Sequence, residues 1–434
     1  MKFSFQTFLI GFFILAFIGA VLVFAGIIKV GNSGSSGVVS NVRVWGIYPQ
    51  SVVNPYLDKL NIQNKNLAIS YEQKSKSSFK SDLINALANG NSPDIVLADA
   101  GNLFSFRDKL YTISFDTYSE RLFRDSFVDG ASLFLNKEGV VALPILVDPV
   151  VLYYNKDLLA GKNFVVPPKS WSSLVDSLPL FNKKDSKGIL TQTTIGMGEF
   201  SNVNHYKDIL STLFLQTGSP IVALDPNNNS FSQRLNIAPE GADSLPTAEA
   251  LDFYLSFSNQ ATDRFSWTRN LPNTLDMFLS GKSVFYIGRA SELFDIQARN
   301  PNLNFDVTSI FQSDQAVRPI TFGEFSGIAI IKSSPNFTAS YTALGYLNSK
   351  EFLEYLSSTV ALPSAKRDLL LVNQKNPYVD VFFKSALSAF GWPDIDPSAT
   401  EGVFRDMIRS VNSGANTPVQ AIYEASRNLQ SIVR

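Results

Sequence analysis

Three carboxylates stand where an acid is uncommon. Asp148 is followed by Pro149 and separates two apolar runs, Val140–Val147 and Val150–Tyr154. Glu199 follows the Gly196-x-Gly198 turn, and Glu324 lies in Phe322-Gly323-Glu324-Phe325-Ser326-Gly327, ahead of the apolar run Ile328–Ile331. Two such acids could act as general acid and base in glycoside hydrolysis, if the fold sets their separation. They could equally accept hydrogen bonds from a bound polyol. An unpaired buried charge is costly, so Asp148 is either solvated in a surface connection or faces an opening where two sheets meet. Pro149 holds it extended and removes a ladder donor, which suits the second arrangement.

Other reactive chemistries lack their parts. The chain has no cysteine, which removes thiol nucleophiles, disulfides, zinc–cysteine sites and the lipid-bearing cysteine of a bacterial lipoprotein. A serine hydrolase needs a nucleophile elbow and a suitable histidine, and His205 is the one histidine present. Gly281-Lys282-Ser283 ends like a P-loop, but Asp276 occupies the position of the motif's first glycine. One histidine makes a nitrogen-ligated metal site poor, and no calcium loop of spaced acids occurs. The inventory is that of a protein without catalysis, metal or cofactor.

The elements that would position these acids alternate in type. Of 434 residues, 45% are hydrophobic and 17% charged, with a formal net charge of −1. That length and composition suit two lobes or more with sizeable cores, and no basic tract suggests a nucleic-acid surface. Phe3–Ile28 is an uncharged run that as a helix reaches about 39 Å, enough to span a membrane with tilt. Residues 1–30 therefore read as a retained anchor or uncleaved signal, the anchor being favoured because signal cores are shorter. Gly31–Ser40 is a Gly/Ser stem, giving a linker over 31–41. Strands are predicted at Val42–Ile47, Leu67–Tyr71 and Ile95–Ala98, with a helix at Phe79–Ala88 ending before Gly90. Such alternation argues for an α/β sheet, whose ligands bind beyond the strands' carboxyl ends. Trp45, Asp99 and Asn102 lie at such ends. Asp225–Ser244 is a polar loop or hairpin without assigned function. Beyond Ile331 the chain reads as helical, finishing with a capping box at Thr417–Gln420.

Several segments, taken in order, resemble extracellular solute-binding proteins of the maltose-binding-like, sugar-type family of ABC importers. They are Pro144–Asp148 with Leu152–Leu158, Pro167–Trp171, Phe278–Lys282 before Ser283–Gly288, Gly323–Ile330, Leu362-Pro363-Ser364, and Ser413-Gly414 with Thr417-Pro418. The resemblance implies a two-lobed periplasmic-binding-protein-like fold (type II), here following an N-terminal transmembrane helix. It implies a bilobal domain over 42–434, with one lobe at about 42–147 and 289–366 and the other at about 148–288 and 367–434. It also implies a solute clamped by hinge closure.

Carried over by position, the family's cleft contacts fall on Trp45 and its following loop, the Ala98–Asn102 turn, Asp148, the Gly198–His205 loop, Gly288–Ala290 and Gly323–Phe325. Asp99, Asn102, Asp148, Glu199 and Glu324 would hydrogen-bond hydroxyls, with His205 and Phe325 in the same turns. Trp267 and Trp392 would stack on a sugar, or Trp267 would simply pack a lobe. Two departures bear on this. Arg289-Ala290 stands where maltose-type binders carry an aromatic platform, and Ala98 stands where they often place tryptophan. Arg289 would then receive an anionic group, or pair with Glu292. The implied role is a monomeric, membrane-anchored subunit on the extracytoplasmic side, delivering a small solute, most simply a sugar, to an ABC permease. A ligand sensor or surface adhesin of the same fold is the alternative, and a carboxylate glycosidase the third.

Overall fold

The computed structural model describes residues 39–225, 230–238, 244–372 and 374–433. The apolar run Phe3–Ile28 and the stem as far as Val38 lie outside the described residues. Among the described residues no helix is long and apolar enough to cross a membrane.

The first lobe begins as alternating strands and helices. Strands β1 (Ser40–Gly46), β2 (Leu67–Gln73) and β3 (Ile95–Asp99) are parallel in the order β2-β1-β3. The helix Phe79–Ala88 forms over the residues its spacing predicts. It buries Phe79 and Leu83, and Gly90 follows it at φ +69°, the left-handed conformation that glycine enters without steric cost. All five residues of β3 are buried, as expected of an inner parallel strand.

Asp148-Pro149 does not separate two strands. Leu143–Asn155 is one thirteen-residue strand, β4, that passes through both lobes. Three later strands complete the pattern: β5 (Phe285–Arg289), β6 (Phe305–Ser309) and β7 (Thr321–Ile330). The first half of β4 pairs antiparallel with β7, setting Glu324 opposite Asp148 and Gly323 opposite Pro149. Its second half lies between β5 and β6, with Val150–Tyr154 against β5 and Val151–Asn155 against β6. Pro149, lacking an N–H, sits where the partners change, so the lost donor interrupts neither ladder. In β7 the register with β4 slips between Phe325 and Gly327, and from Ser326 onward the strand also pairs with β3 of the first lobe.

This register corrects the division read from sequence. Arg289–Ser309 stays with the second lobe, because β5 and β6 flank the far half of β4. The return crossing is β7, some thirty residues later than the boundary placed at Arg289. A third crossing runs along β4, where the Val147 amide donates to Pro363 O (2.9 Å) and the Ala365 amide to Ile145 O (2.9 Å). The carboxyl-terminal segment is not wholly helical either. Ala389–Phe390 forms a short strand, β8, parallel to Thr321–Phe322. The final helix, Pro418–Val433, has its expected capping box: the Thr417 amide donates to Gln420 Oε1 (2.9 Å) and the Gln420 amide to Thr417 Oγ1 (3.3 Å).

The second lobe is built around aromatic packing. Trp267 is fully buried, its indole N–H donating to Asn202 Oδ1 (3.1 Å). Gly196 packs so closely that an added Cβ would lie 2.9 Å from the indole and 2.2 Å from Thr274 Cγ2. Trp267 is thus a core residue and not a stacking platform. Trp267→Ala should lower stability by about 3–5 kcal/mol in urea denaturation; a loss below about 1 kcal/mol would show that the site is not the packed core described.

Candidate functional site

The carboxyl end of β3 supplies the first acid. Asp99 accepts hydrogen bonds from the Asn102 amide at Oδ1 (2.9 Å) and Asn102 Nδ2 at Oδ2 (3.0 Å), capping the short helix Ala100–Ser105. Asn102 Nδ2 also donates to Lys76 O (3.1 Å), which ties the loop after β2 to this turn. Lys76 Nζ reaches Glu324 Oε2 on β7 at 3.0 Å.

From Glu324 an alternating series of charges runs into the second lobe. Arg289, the last residue of β5, donates from Nη1 to Glu324 Oε2 (2.8 Å) and from Nε to Asp208 Oδ2 (2.7 Å). Asp208 lies in the first turn of the helix Tyr206–Gln216, and His205 caps that helix at φ +57°. The His205 ring lies between two acids, with Nδ1 3.4 Å from Asp208 Oδ2 and Nε2 2.9 Å from Glu292 Oε2. Glu292 also accepts the Arg289 amide (2.8 Å) and the Tyr286 hydroxyl (2.9 Å). The order is Lys76, Glu324, Arg289, Asp208, His205, Glu292, with signs alternating throughout. Asp148 stands beside this series, accepting the Ser291 amide (3.0 Å) and the Ser291 hydroxyl (2.6 Å).

Two cavities open between the lobes on either side of Asp99, Glu324 and Phe325. One, of about 420 Å³, is lined also by Tyr48, Lys76, Asp148 and Ser291. The other, of about 240 Å³, is lined by His205, Lys207, Asp208, Arg289, Trp392 and Asp394. Lys207 pairs with Asp394 at 2.5 Å, so each cation lining either cavity already has a carboxylate partner.

Asp99, Asp148, His205, Arg289, Glu324 and Phe325 all line one or both of these cavities. Trp392 reaches the smaller cavity but is 4% exposed, with its ring stacked on Phe404 and its N–H donated to Ser211. Besides Trp267, three expected contacts stand elsewhere. Glu199 opens onto a separate cavity of about 610 Å³ with Asp252, Arg264 and Arg269, so it cannot partner Asp148 or Glu324 in hydrolysis. Trp45 is buried under Lys74, whose Nζ lies 3.9 Å from the ring centre, and lines neither cleft cavity. Asn102 supports Asp99 from behind. Arg289 is not an anion receptor, because its guanidinium is engaged by Asp208 and Glu324; its link to Glu292 runs through the backbone amide. The residues missed from sequence are Lys76, Asp208 and Ser291, whereas Tyr48 lies in the loop after Trp45 to which the resemblance pointed without naming it. Asp208 had a signal, lying one helical turn beyond His205; the Lys-Ser-rich loop holding Lys76 had none.

Residues 56–377 match the family model for bacterial extracellular solute-binding proteins. The chain belongs to that family. Its fold is similar to that of a cyclo/maltodextrin-binding protein complexed with maltotetraose, with a TM-score of 0.72 and 18% identity over 92% of this chain and 98% of that one. It is similar also to the sugar-binding protein MalE from Xanthomonas citri, with a TM-score of 0.73 and 18% identity over 91% and 97%. A third similar structure is a solute-binding protein from Thermotoga lettingae bound with alpha-D-tagatose, at 0.61 and 19% over 91% and 100%. At these identities the likeness is one of fold.

In this solute-binding protein the charge series fixes the ionisation of the cleft. Burial tends to raise the Glu324 pKa, but Arg289 and Lys76 outweigh it and hold the carboxyl below its usual range. Burial likewise opposes ionised Asp208, and Arg289 with His205 keeps it far below that range. Asp148 and Asp99 behave oppositely. Burial pushes Asp148 up despite Arg289, and burial reinforced by Glu324 pushes Asp99 up. For His205, burial disfavours the cation, but Asp208 and Glu292 raise its pKa to about 10. An unfolded histidine titrates near 6.5, so this stabilisation is present in full below about pH 6.5 and is lost as pH rises through about 10. The resonance of the one histidine should titrate near pH 10 in NMR. Unfolding free energy should fall by roughly 3–5 kcal/mol over that interval relative to a His205→Asn variant. Titration near 6.5 would contradict the paired arrangement.

Proposed function

We propose that the protein is the extracytoplasmic binding subunit of an ABC importer, closing two lobes on a small hydroxyl-rich solute, a sugar being the leading class. The observation that carries this reading is the convergence of Asp99, Asp148 and Glu324 on cavities between the lobes. Carboxylates accept hydrogen bonds, and a sugar presents many hydroxyl donors. Similar folds hold maltotetraose and tagatose, which favours the same class here. Ala98 and Ala290 are both buried, so neither supplies the stacking face of a maltodextrin site. This points to polar capture of a short sugar over stacking along a chain.

Charge narrows the choice further. Since every lining cation already pairs with an acid, a sugar phosphate or sugar acid would meet carboxylates and no free cation. The apolar run Phe3–Ile28 is assigned as the membrane anchor, with the Gly/Ser stem as tether and the permease as partner. One folded copy suffices, because the cavities are closed by the lobes of a single chain.

A thermal-shift panel of neutral sugars, amino sugars, sugar phosphates and sugar acids tests the reading. A ligand at 100 times its Kd should add about 2.7 kcal/mol of stability. Neutral or amino sugars should give the shift and anionic ones none; a shift confined to anionic solutes would overturn the charge argument. Asp148→Ala should weaken binding of the active compound about 10–100-fold, the worth of a hydrogen bond to a charged group. Unchanged affinity would remove Asp148 from the site.

A further inference from the structure

The residues Phe231–Gln233, within a polar stretch that has no role on sequence grounds, belong to a feature that joins the lobes. Val222–Leu224 and Phe231–Gln233 form a two-stranded hairpin, with Phe231 opposite Leu224. It is fixed to the second lobe, where the Gln233 amide donates to Gln430 Oε1 (3.1 Å) on the last helix. The ring of Phe231, however, meets the first lobe. It lies edge-to-face with Phe104, the centroids 5.8 Å apart at 82°, and the Arg107 guanidinium sits 4.2 Å from its centre. Phe104 in turn stacks on Phe134, a first-lobe core residue. Phe231 is 6% exposed. On the same first-lobe helix, Gly101 abuts second-lobe Pro397 so closely that an added Cβ would lie 2.7 Å from its ring.

From this geometry we propose that Phe231 is an inter-lobe latch whose contacts with Phe104 and Arg107 set the balance between open and closed forms. The inference rests on the hinge-closing reading above, but it concerns the empty protein and needs no solute. Two opposed terms make the latch reversible. Burial of the ring and its edge-to-face and cation–π contacts favour closure. Arg107 Nη1, buried there without a hydrogen-bond partner among the described residues, favours opening, because water satisfies it once the lobes part. A latch so poised holds the lobes together without preventing solute exchange. Its strength fixes the fraction of competent molecules, and with it the apparent affinity for any solute.

The cysteine-free chain allows a direct test. Lys59→Cys on the first lobe and Lys187→Cys on the second are exposed positions for a pair of nitroxide labels, read by pulsed electron–electron distance measurement on the ligand-free protein. Phe231→Ala should move the open-to-closed ratio by about tenfold or more toward longer distances. Arg107→Glu, which sets an anion over the negative face of the ring and leaves the hairpin untouched, should move it in the same direction. This second variant decides the matter if Phe231→Ala fails to fold. A folded variant of either kind whose distance distribution matches that of the parent overturns the latch. Loss of all solute binding with these shifts intact would instead count against the proposed function alone.

Discussion

One strand serves two lobes, and the cleft follows from that constraint. The backbone of Leu143–Asn155 gives its first half to β7 and its second to β5 and β6. The exchange of partners falls at Asp148-Pro149, where a missing N–H does least harm. Because β7 returns along the same line, Glu324 is placed directly opposite Asp148. Two carboxylates side by side in a partly buried cleft repel each other and lose hydration, so the site is possible only with compensating charge.

Arg289 supplies most of that compensation. It ends the strand that pairs with Val150 and so arrives beside the two acids by register alone. Its guanidinium serves Glu324 and Asp208 together, while Lys76 reaches Glu324 from the first lobe. The resulting series spans both lobes and the crossing strand. Buried ion pairs of this kind add little net stability beside a hydrophobic equivalent. What they do here is hold acceptor oxygens in fixed positions around the cavities between the lobes. His205 accepts a left-handed backbone that is uncommon for a non-glycine residue, and its two carboxylate partners hold it there.

The local parts of this arrangement were legible in the sequence, and the non-local ones were not. Helical spacing gave Phe79–Ala88 without error, and the end of β3 marked Asp99 because a buried apolar run stopped at an acid. Asp148 stood out between two apolar runs, and Glu324 as an acid ahead of the run Ile328–Ile331. The lobe boundary at Arg289 failed because strand pairing is a long-range choice. Nothing in Phe305–Ser309 itself announces that it will add to Val151–Asn155 instead of to β3. Trp267 was a candidate by residue type and Trp45 by its place at a strand end, yet a tryptophan is as useful to a core as to a sugar, and burial decides between them. Glu199 failed in another way, as its turn faces a different cavity of the same lobe. Lys76 could be found only in three dimensions.

The position of the bound solute decides whether the cleft acids do what their geometry allows. A crystal structure with the panel compound that gives the largest thermal shift is the direct measurement. The account predicts density between the lobes, with ligand hydroxyls or amines within about 3 Å of carboxylate oxygens of Asp148, Asp99 or Glu324. Density in the cavity beside Glu199 and Arg269, with the inter-lobe space holding only water, would contradict it.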